Sequence, residues 1–241
     1  MDSVAATAEC IPVSSSVAYP RPVNRIHQIE ITSRCNLRCQ YCVHPHMERK
    51  KLDMSMETLE KALHLVGKCV VERGQVELNM CGIGESLMHP QFKEVFELTR
   101  SMLPDVIIVI ATNGILLNEE RAKILWDNKI VTFISLHRPE KAGLAVEVAK
   151  KFGIFAGTSN DPSTAAINWA GKVDWFVSAI TKDLPCPWLE NGQAMVCADG
   201  RITTCCLDGD GKGMIGTVDT PLEELFIRPY SLCEGCHHSV P

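Results

Sequence analysis

The chain has no apolar run approaching the roughly 18 residues needed to cross a bilayer, so no membrane role is expected. It also lacks a basic excess. With 24 Lys and Arg against 29 Asp and Glu, the formal net charge is −5, the wrong sign for a surface that grips a nucleic-acid duplex, although a nucleotide-sized substrate remains compatible. The N-terminus lacks the charged-then-apolar pattern of a secretory leader, and secreted disulfide scaffolds are usually much shorter than 241 residues. The twelve cysteines therefore read as metal ligands in a reducing cytoplasm. Residues 1–24 mix Ala, Ser, Val and Pro without periodicity and read as a flexible arm, in which Cys10 has no assigned role. A chain of this size, 46% hydrophobic and 22% charged, can form one substantial domain and a small appendage.

From Arg25 to about residue 180, apolar patterns of strand and helix period alternate at short intervals. Strands are expected at His27–Thr32, Val76–Met80, Val106–Ala111, Ile130–Ser135, Ile154–Thr158 and Val173–Ser178. Helices are expected at Ser55–Arg73, Gln91–Met102, Glu119–Asn128, Lys141–Phe152 and, as a short piece, Ser163–Trp169. Gly74 reads as a C-cap and Cys69 as core packing. Six such steps make an α/β chain with a partial (β/α)6 TIM-like barrel, in which the reactive ends are the carboxyl ends of the strands.

The chemical motifs fall at those ends. After the first strand the chain reads Ile31-Thr-Ser-Arg-Cys-Asn-Leu-Arg-Cys-Gln-Tyr-Cys42, which places Cys35, Cys39 and Cys42 in C-x3-C-x2-C spacing. A [4Fe-4S] cluster normally takes four cysteines. A local triad leaves one iron open to chelate a small molecule through an amino and a carboxylate group, a pair that S-adenosylmethionine (SAM) offers. The alternative is a zinc knuckle completed by His44 or His46. Zinc sites tend to come as paired short spacings, which this run does not have. In spacing and context it resembles the radical SAM superfamily, and the resemblance implies that Tyr41 lies against the adenine.

After the second strand comes Cys81-Gly-Ile-Gly-Glu-Ser86, where Gly82 and Gly84 let the backbone approach a ligand and Glu85 supplies an acceptor. It resembles the family's Gly-Gly-Glu motif, with Ile83 at the first glycine and Ser86 where proline is common. That likeness assigns Gly82, Gly84, Glu85 and Ser86 to SAM. Ala111-Thr-Asn-Gly114 is ordinary turn chemistry, yet related enzymes carry Thr-Asn-Gly here, which brings in Asn113. At the end of the fourth strand Ser135 is placed to reach the SAM ribose or carboxylate, and His137 or Arg138 to face the substrate.

The last part of the chain, from Cys186, holds six of the twelve cysteines. Asp199-Gly200 between two short apolar runs signals a hairpin; with those two as the turn, Cys197 opposes Ile202, and Cys197 and Cys206 share one face with Cys205 on the other. A short helix is expected after Pro221, and Cys233-Glu-Gly-Cys236 supplies a C-x2-C pair. A zinc ribbon is one possible reading, which as a whole would make the chain a zinc-binding interaction module. The order and spacing resemble the Twitch form of the SPASM domain, from residue 181 to 241, a small C-terminal hairpin-helix iron-sulfur module. Spacing alone leaves Cys205, Cys206 and Cys197 open; the resemblance implies a second, auxiliary [4Fe-4S] cluster on Cys186, Cys205, Cys233 and Cys236.

As a whole the pattern most resembles the compact Twitch-type radical SAM family of 2-deoxy-scyllo-inosamine dehydrogenases. That likeness implies reductive SAM cleavage, hydrogen abstraction and two-electron oxidation of a small-molecule substrate, with electrons from an external donor such as flavodoxin or ferredoxin. A nucleotide isomerase or a peptide maturase are the alternative enzymes. Between Ala142 and Pro185 no residue reads as a substrate base.

Overall fold

The computed structural model describes residues 18–135, 140, 143–157, 169–173 and 184–241. Cys10, His137, Arg138, residues 163–168 of the expected short helix and residues 174–178 of the expected sixth strand lie outside them.

Strands β1 (Arg21–Pro22) and β2 (Arg25–Ile29) lead into helix α1 (Met56–Arg73), followed by β3 (Glu77–Asn79), α2 (Phe92–Met102), β4 (Ile107–Thr112) and α3 (Glu119–Asp127). Then come β5 (Ile130–Ser135), α4 (Ala145–Phe152), β6 (Phe155–Gly157), α5 (Pro187–Glu190), β7 (Gln193–Val196), β8 (Arg201–Thr203), β9 (Met214–Thr217) and β10 (Phe226–Ile227). Helix α1 shows how locally this is encoded. Ser55 caps its first turn through Thr58 N (3.1 Å), Gly74 at φ 67° ends it in the left-handed conformation, and Leu59, Ala62, Leu63, Val66 and Cys69 form its buried stripe. No helix among the described residues is long and apolar enough to cross a membrane.

Strands β2 to β6 are parallel neighbours in the order β6-β5-β4-β3-β2, an open partial barrel. The sheet does not stop at β2. Strand β7 pairs with it in parallel, Arg25 opposite Gln193 and Ile29 opposite Val196, and β8 and β9 continue antiparallel from there. The C-terminal hairpin and the barrel therefore share one eight-stranded sheet. Ile26, Ile29, Leu78, Ile108 and Ile110 pack with Leu59, Leu63, Phe96 and Leu125 of the helices to form the core.

Three expectations need correction. Residues 21–24 are not loose: β1 pairs with β10 and Val23 is fully buried, an arrangement in which Pro22 sits on a short edge strand that does not need its N–H. The helix expected after Pro221 is a single 3-10 turn, Leu222–Glu224, because Leu225 is already extended before Phe226 enters β10. The hairpin turn has three residues rather than two. Gly200 N donates to Cys197 O (2.9 Å), Cys197 N donates to Arg201 O (2.8 Å), and Gly200 sits at φ 84°. That is a turn followed by a left-handed residue, which moves the register by one and puts Ile202 opposite Val196.

One buried ion pair ties these parts together. Glu30, fully buried just past β2, takes Arg49 Nη2 on both carboxylate oxygens (2.8 and 2.6 Å), Ile83 N at 3.2 Å and Ala198 N at 3.1 Å. Arg49 Nε also donates to the Gly209 carbonyl. Burial pushes the Glu30 carboxyl up, and Arg49 and the two amides oppose it. N–H donors occupy both oxygens, which suits the acceptor-only carboxylate, and with the guanidinium always protonated the pair is ionic. Removing one member of such a pair strands a buried charge, at a cost of about 3–5 kcal/mol. Arg49→Met is expected to lose about that much stability in urea unfolding, with Glu30→Leu/Arg49→Met recovering part of it; a loss below about 1 kcal/mol in the single variant would mean that the pair does not anchor the fold.

Candidate functional site

The loop after β2 is shaped before any ligand arrives. Ser33 N donates to Leu52 O (2.9 Å), Thr32 Oγ1 to Asp53 Oδ1 (2.7 Å), and Arg34 pairs with Asp53 (2.9 Å), which closes the base of residues 34–52. His44 Nε2 meets the Ser33 carbonyl at 3.2 Å within that base, so it holds the loop, while His46 is exposed. Backbone amides point at two of the sulfurs: Leu37 N at Cys35 Sγ (3.4 Å) and His44 N at Cys42 Sγ (3.4 Å). Burial pushes the Cys35 thiol up to about 11 and raises Cys42 as well, so both are protonated when free, and metal binding has to displace those protons.

A cavity at the carboxyl ends of the strands is lined by Cys35, Cys39, Tyr41, Cys42, Gly82, Gly84, Glu85, Asn113 and Ser135 together with Trp169. Four strand ends thus bring nine of the ten residues first assigned to this site to one place. Ser86 is the exception: it is 2% exposed, begins a 3-10 turn, and donates to the Met80 carbonyl (2.9 Å) instead of lining the cavity. The two glycines line the cavity and also serve close packing of the turn against the β2 segment, since a β-carbon at Gly82 would collide with the Glu30 side chain and one at Gly84 with the Thr32 carbonyl. Glu85 accepts from Leu87 N (3.0 Å), Thr112 Oγ1 (2.6 Å) and Asn113 N (2.8 Å). Burial raises its pKa against these donors. Asn113 Nδ2 then donates to Asn36 Oδ1 (2.8 Å), which links the Thr-Asn-Gly turn to the cysteine loop.

A second cavity gathers Cys186, Cys205, Cys233 and Cys236, with Ala170, Thr204, Tyr230, Leu232 and His238 among its walls. The backbone repeats the first site: Leu207 N approaches Cys205 Sγ at 3.4 Å and His238 N approaches Cys236 Sγ at 3.5 Å. The C-x2-C turns match as well, Cys42 N to Cys39 O at 3.1 Å and Cys236 N to Cys233 O at 3.3 Å. Cys186 caps α5, and burial pushes its thiol up to about 11 against the N–H groups of Leu189 and Trp188. Cys206 does not line this cavity. Cys197 is fully buried beside the Glu30–Arg49 pair, where burial and the Glu30 charge push it up to about 12. It lies next to the hairpin turn and does not line the second cavity.

Between the cavities lies a segment that pattern reasoning missed. Trp169 lines the first and donates Nε1 to the Tyr41 carbonyl (2.8 Å); Ala170 lines the second and packs with Cys236 and Leu207. Trp169, Ala170 and Gly171 are consecutive left-handed residues at φ 51°, 55° and 83°, a conformation that costs non-glycine residues about 1–2 kcal/mol each. Gly235 of the second C-x2-C turn fits there because a β-carbon would meet the Ala170 carbonyl at 2.6 Å. Lys172 pairs with Asp210 (2.5 Å), whose other oxygen accepts from Glu48 N (2.8 Å), so the segment is tied to both halves. No local period or motif announces this strained bridge.

Comparison with known proteins agrees with the geometry. A cofactor-modifying protein for the tungsten-containing aldehyde ferredoxin oxidoreductase of Pyrococcus furiosus is 37% identical over 100 residues, 40% of this chain and 26% of that protein. The antilisterial bacteriocin subtilosin biosynthesis protein AlbA of Bacillus subtilis is 27% identical over 133 residues, 54% of this chain and 28% of AlbA. The chain thus spans roughly a quarter of the length of these two relatives. Among solved structures, BtrN in complex with AdoMet and 2-DOIA superposes with a TM-score of 0.66 at 20% identity, covering 79% of this chain and 76% of BtrN, a likeness of fold. The model of the Radical SAM superfamily matches residues 29–181, the segment that carries the cysteine loop and the strand-end cavity, and the chain belongs to that superfamily.

Proposed function

We propose that this chain is a radical SAM oxidoreductase with two [4Fe-4S] clusters, which completes a two-electron oxidation of a small polar metabolite. The observation that carries this reading is the second cavity, where Cys186, Cys205, Cys233 and Cys236 stand together, apart from the triad. Four thiolates occupy every iron of a cubane, which suits an electron acceptor better than a substrate ligand. Three leave one iron for SAM. The donor sets fit clusters: backbone N–H groups already point at Cys35, Cys42, Cys205 and Cys236, the kind of hydrogen bond that stabilises cluster sulfur.

A cluster held by the triad, with SAM bound and an external flavodoxin- or ferredoxin-like electron donor, would supply reductive cleavage of a carbon-sulfur bond of SAM and hydrogen abstraction from the substrate. The chain's residues hold that chemistry in place. Cys35, Cys39 and Cys42 bind the cluster; Tyr41, whose carbonyl is fixed by Trp169, presents its ring as an adenine wall. Glu85 and Asn113 hold the cysteine loop and the Thr-Asn-Gly turn together around the amino-acid end of SAM. Ser135, which lines the cavity, would serve the SAM ribose or carboxylate, and Ser86 supports the turn.

The relatives span cofactor modification and bacteriocin biosynthesis, so the substrate class needs a direct assay. In anaerobic incubations with SAM, a strong reductant and fractionated metabolites, mass spectrometry is expected to show 5′-deoxyadenosine and a product lighter by two hydrogens. A product of unchanged mass would replace oxidation with rearrangement. Replacing Cys35, Cys39 or Cys42 by Ala is expected to abolish 5′-deoxyadenosine formation, and persistence of that product would remove the triad assignment. The two serines give a matched test of placement. Ser135→Ala is expected to weaken SAM binding about 2- to 10-fold, the worth of one neutral hydrogen bond, and Ser86→Ala to leave it within about twofold; equal effects in a binding titration would contradict the placement.

A further inference from the structure

The second cavity has polar groups that its cysteines leave unused. Thr204, next to Cys205 and 2% exposed, has a hydroxyl with no hydrogen-bond partner among the described residues. The buried Tyr230 hydroxyl is in the same condition. Both residues line the cavity with the four cysteines. The Tyr230 ring is seated firmly, since a β-carbon on Gly213 would collide with its Cε1 at 2.6 Å. Gly213 N in turn donates to Asp208 Oδ2 (2.6 Å), and the other Asp208 oxygen, fully buried, neighbours the tyrosine without a hydrogen bond of ordinary geometry. A phenol carries its proton at neutral pH, so the Tyr230 hydroxyl can serve a nearby acceptor as a donor.

Leaving a buried hydroxyl unpaired costs about 1–3 kcal/mol. Among the described residues Thr204 has no acceptor and Tyr230 has only the poorly aligned Asp208 oxygen, and cluster sulfur would offer both hydroxyls an acceptor whose negative charge increases on reduction. We propose that the hydroxyls of Thr204 and Tyr230 donate hydrogen bonds to the sulfurs of the auxiliary cluster and raise its reduction potential. The inference rests on the reading of Cys186, Cys205, Cys233 and Cys236 as a cluster site. Its consequence is directional. The substrate radical gives up one electron and one proton; the proton goes to water, the cluster takes the electron, and a one-electron carrier protein later removes it. Donors that stabilise the reduced cluster make that transfer downhill. They act as positioning and tuning residues, because hydrogen bonds to the sulfurs are among the factors that set such potentials.

The test is a potentiometric titration of the reconstituted protein followed by electron paramagnetic resonance, with iron and sulfide measured on each sample. Thr204→Val and Tyr230→Phe are expected to move the auxiliary midpoint to more negative potential. At the wild-type midpoint, the reduced-to-oxidised ratio is expected to fall from one to about one in ten, tenfold being about 59 mV for one electron. Thr204→Ser retains the donor and is expected to keep the wild-type value; Thr204→Ala supplies the comparison if valine blocks assembly. Wild-type midpoints in both donor-lacking variants, with iron and sulfide intact, overturn the inference and leave the cluster assignment standing. A wild-type protein with no second cluster signal overturns both.

Discussion

A fully buried Glu30 held by Arg49 is the constraint on which the rest of the structure depends. The carboxylate stands just past β2, where three chain segments meet, and accepts a hydrogen bond from each of them: Arg49 from the cysteine loop's return, Ile83 from the turn after β3, and Ala198 from the hairpin after β7. Such a pair contributes little net stability, since desolvation offsets most of the attraction, but its geometry allows few alternatives. Gly82 is glycine because the Glu30 side chain fills the space where its β-carbon would be. The barrel's motif turn and the C-terminal hairpin are therefore set on one carboxylate.

From that anchor the two cysteine sites inherit fixed positions. The hairpin joins the barrel sheet through β7 alongside β2, so the second cavity is carried by the same sheet that carries the first. The strained Trp169-Ala170-Gly171 turn closes the space between them, one side chain facing each cavity. The local chemistry is repeated at both, with a C-x2-C turn and backbone N–H groups aimed at the sulfurs two residues back.

Most of the first site was legible in the sequence because its information is local. The cysteine spacing, the Gly-Ile-Gly-Glu turn and the Thr-Asn-Gly turn each follow a strand whose period is clear, and parallel topology then brings them to one end. Helix α1 was legible for the same reason, from Ser55 to Gly74. What escaped was non-local or depended on a single residue of register. The three-residue turn closed by Gly200 changed the hairpin register by one residue, a distinction that Asp-Gly alone does not carry. The Glu30–Arg49 pair joins positions 19 apart through the fold, and neither residue has a motif. Trp169 reaches Tyr41 across 128 positions by one indole N–H. Ser86 lay inside a recognisable motif, yet the 3-10 turn it begins points its hydroxyl at Met80.

The central claim is that one chain builds two separate cluster sites. Iron and sulfide analysis of anaerobically reconstituted protein tests it most directly. The expected values are about eight irons and eight sulfides per chain, falling to about four of each in the Cys233→Ala/Cys236→Ala variant. About four of each in both proteins, or stoichiometric zinc without sulfide, would contradict it.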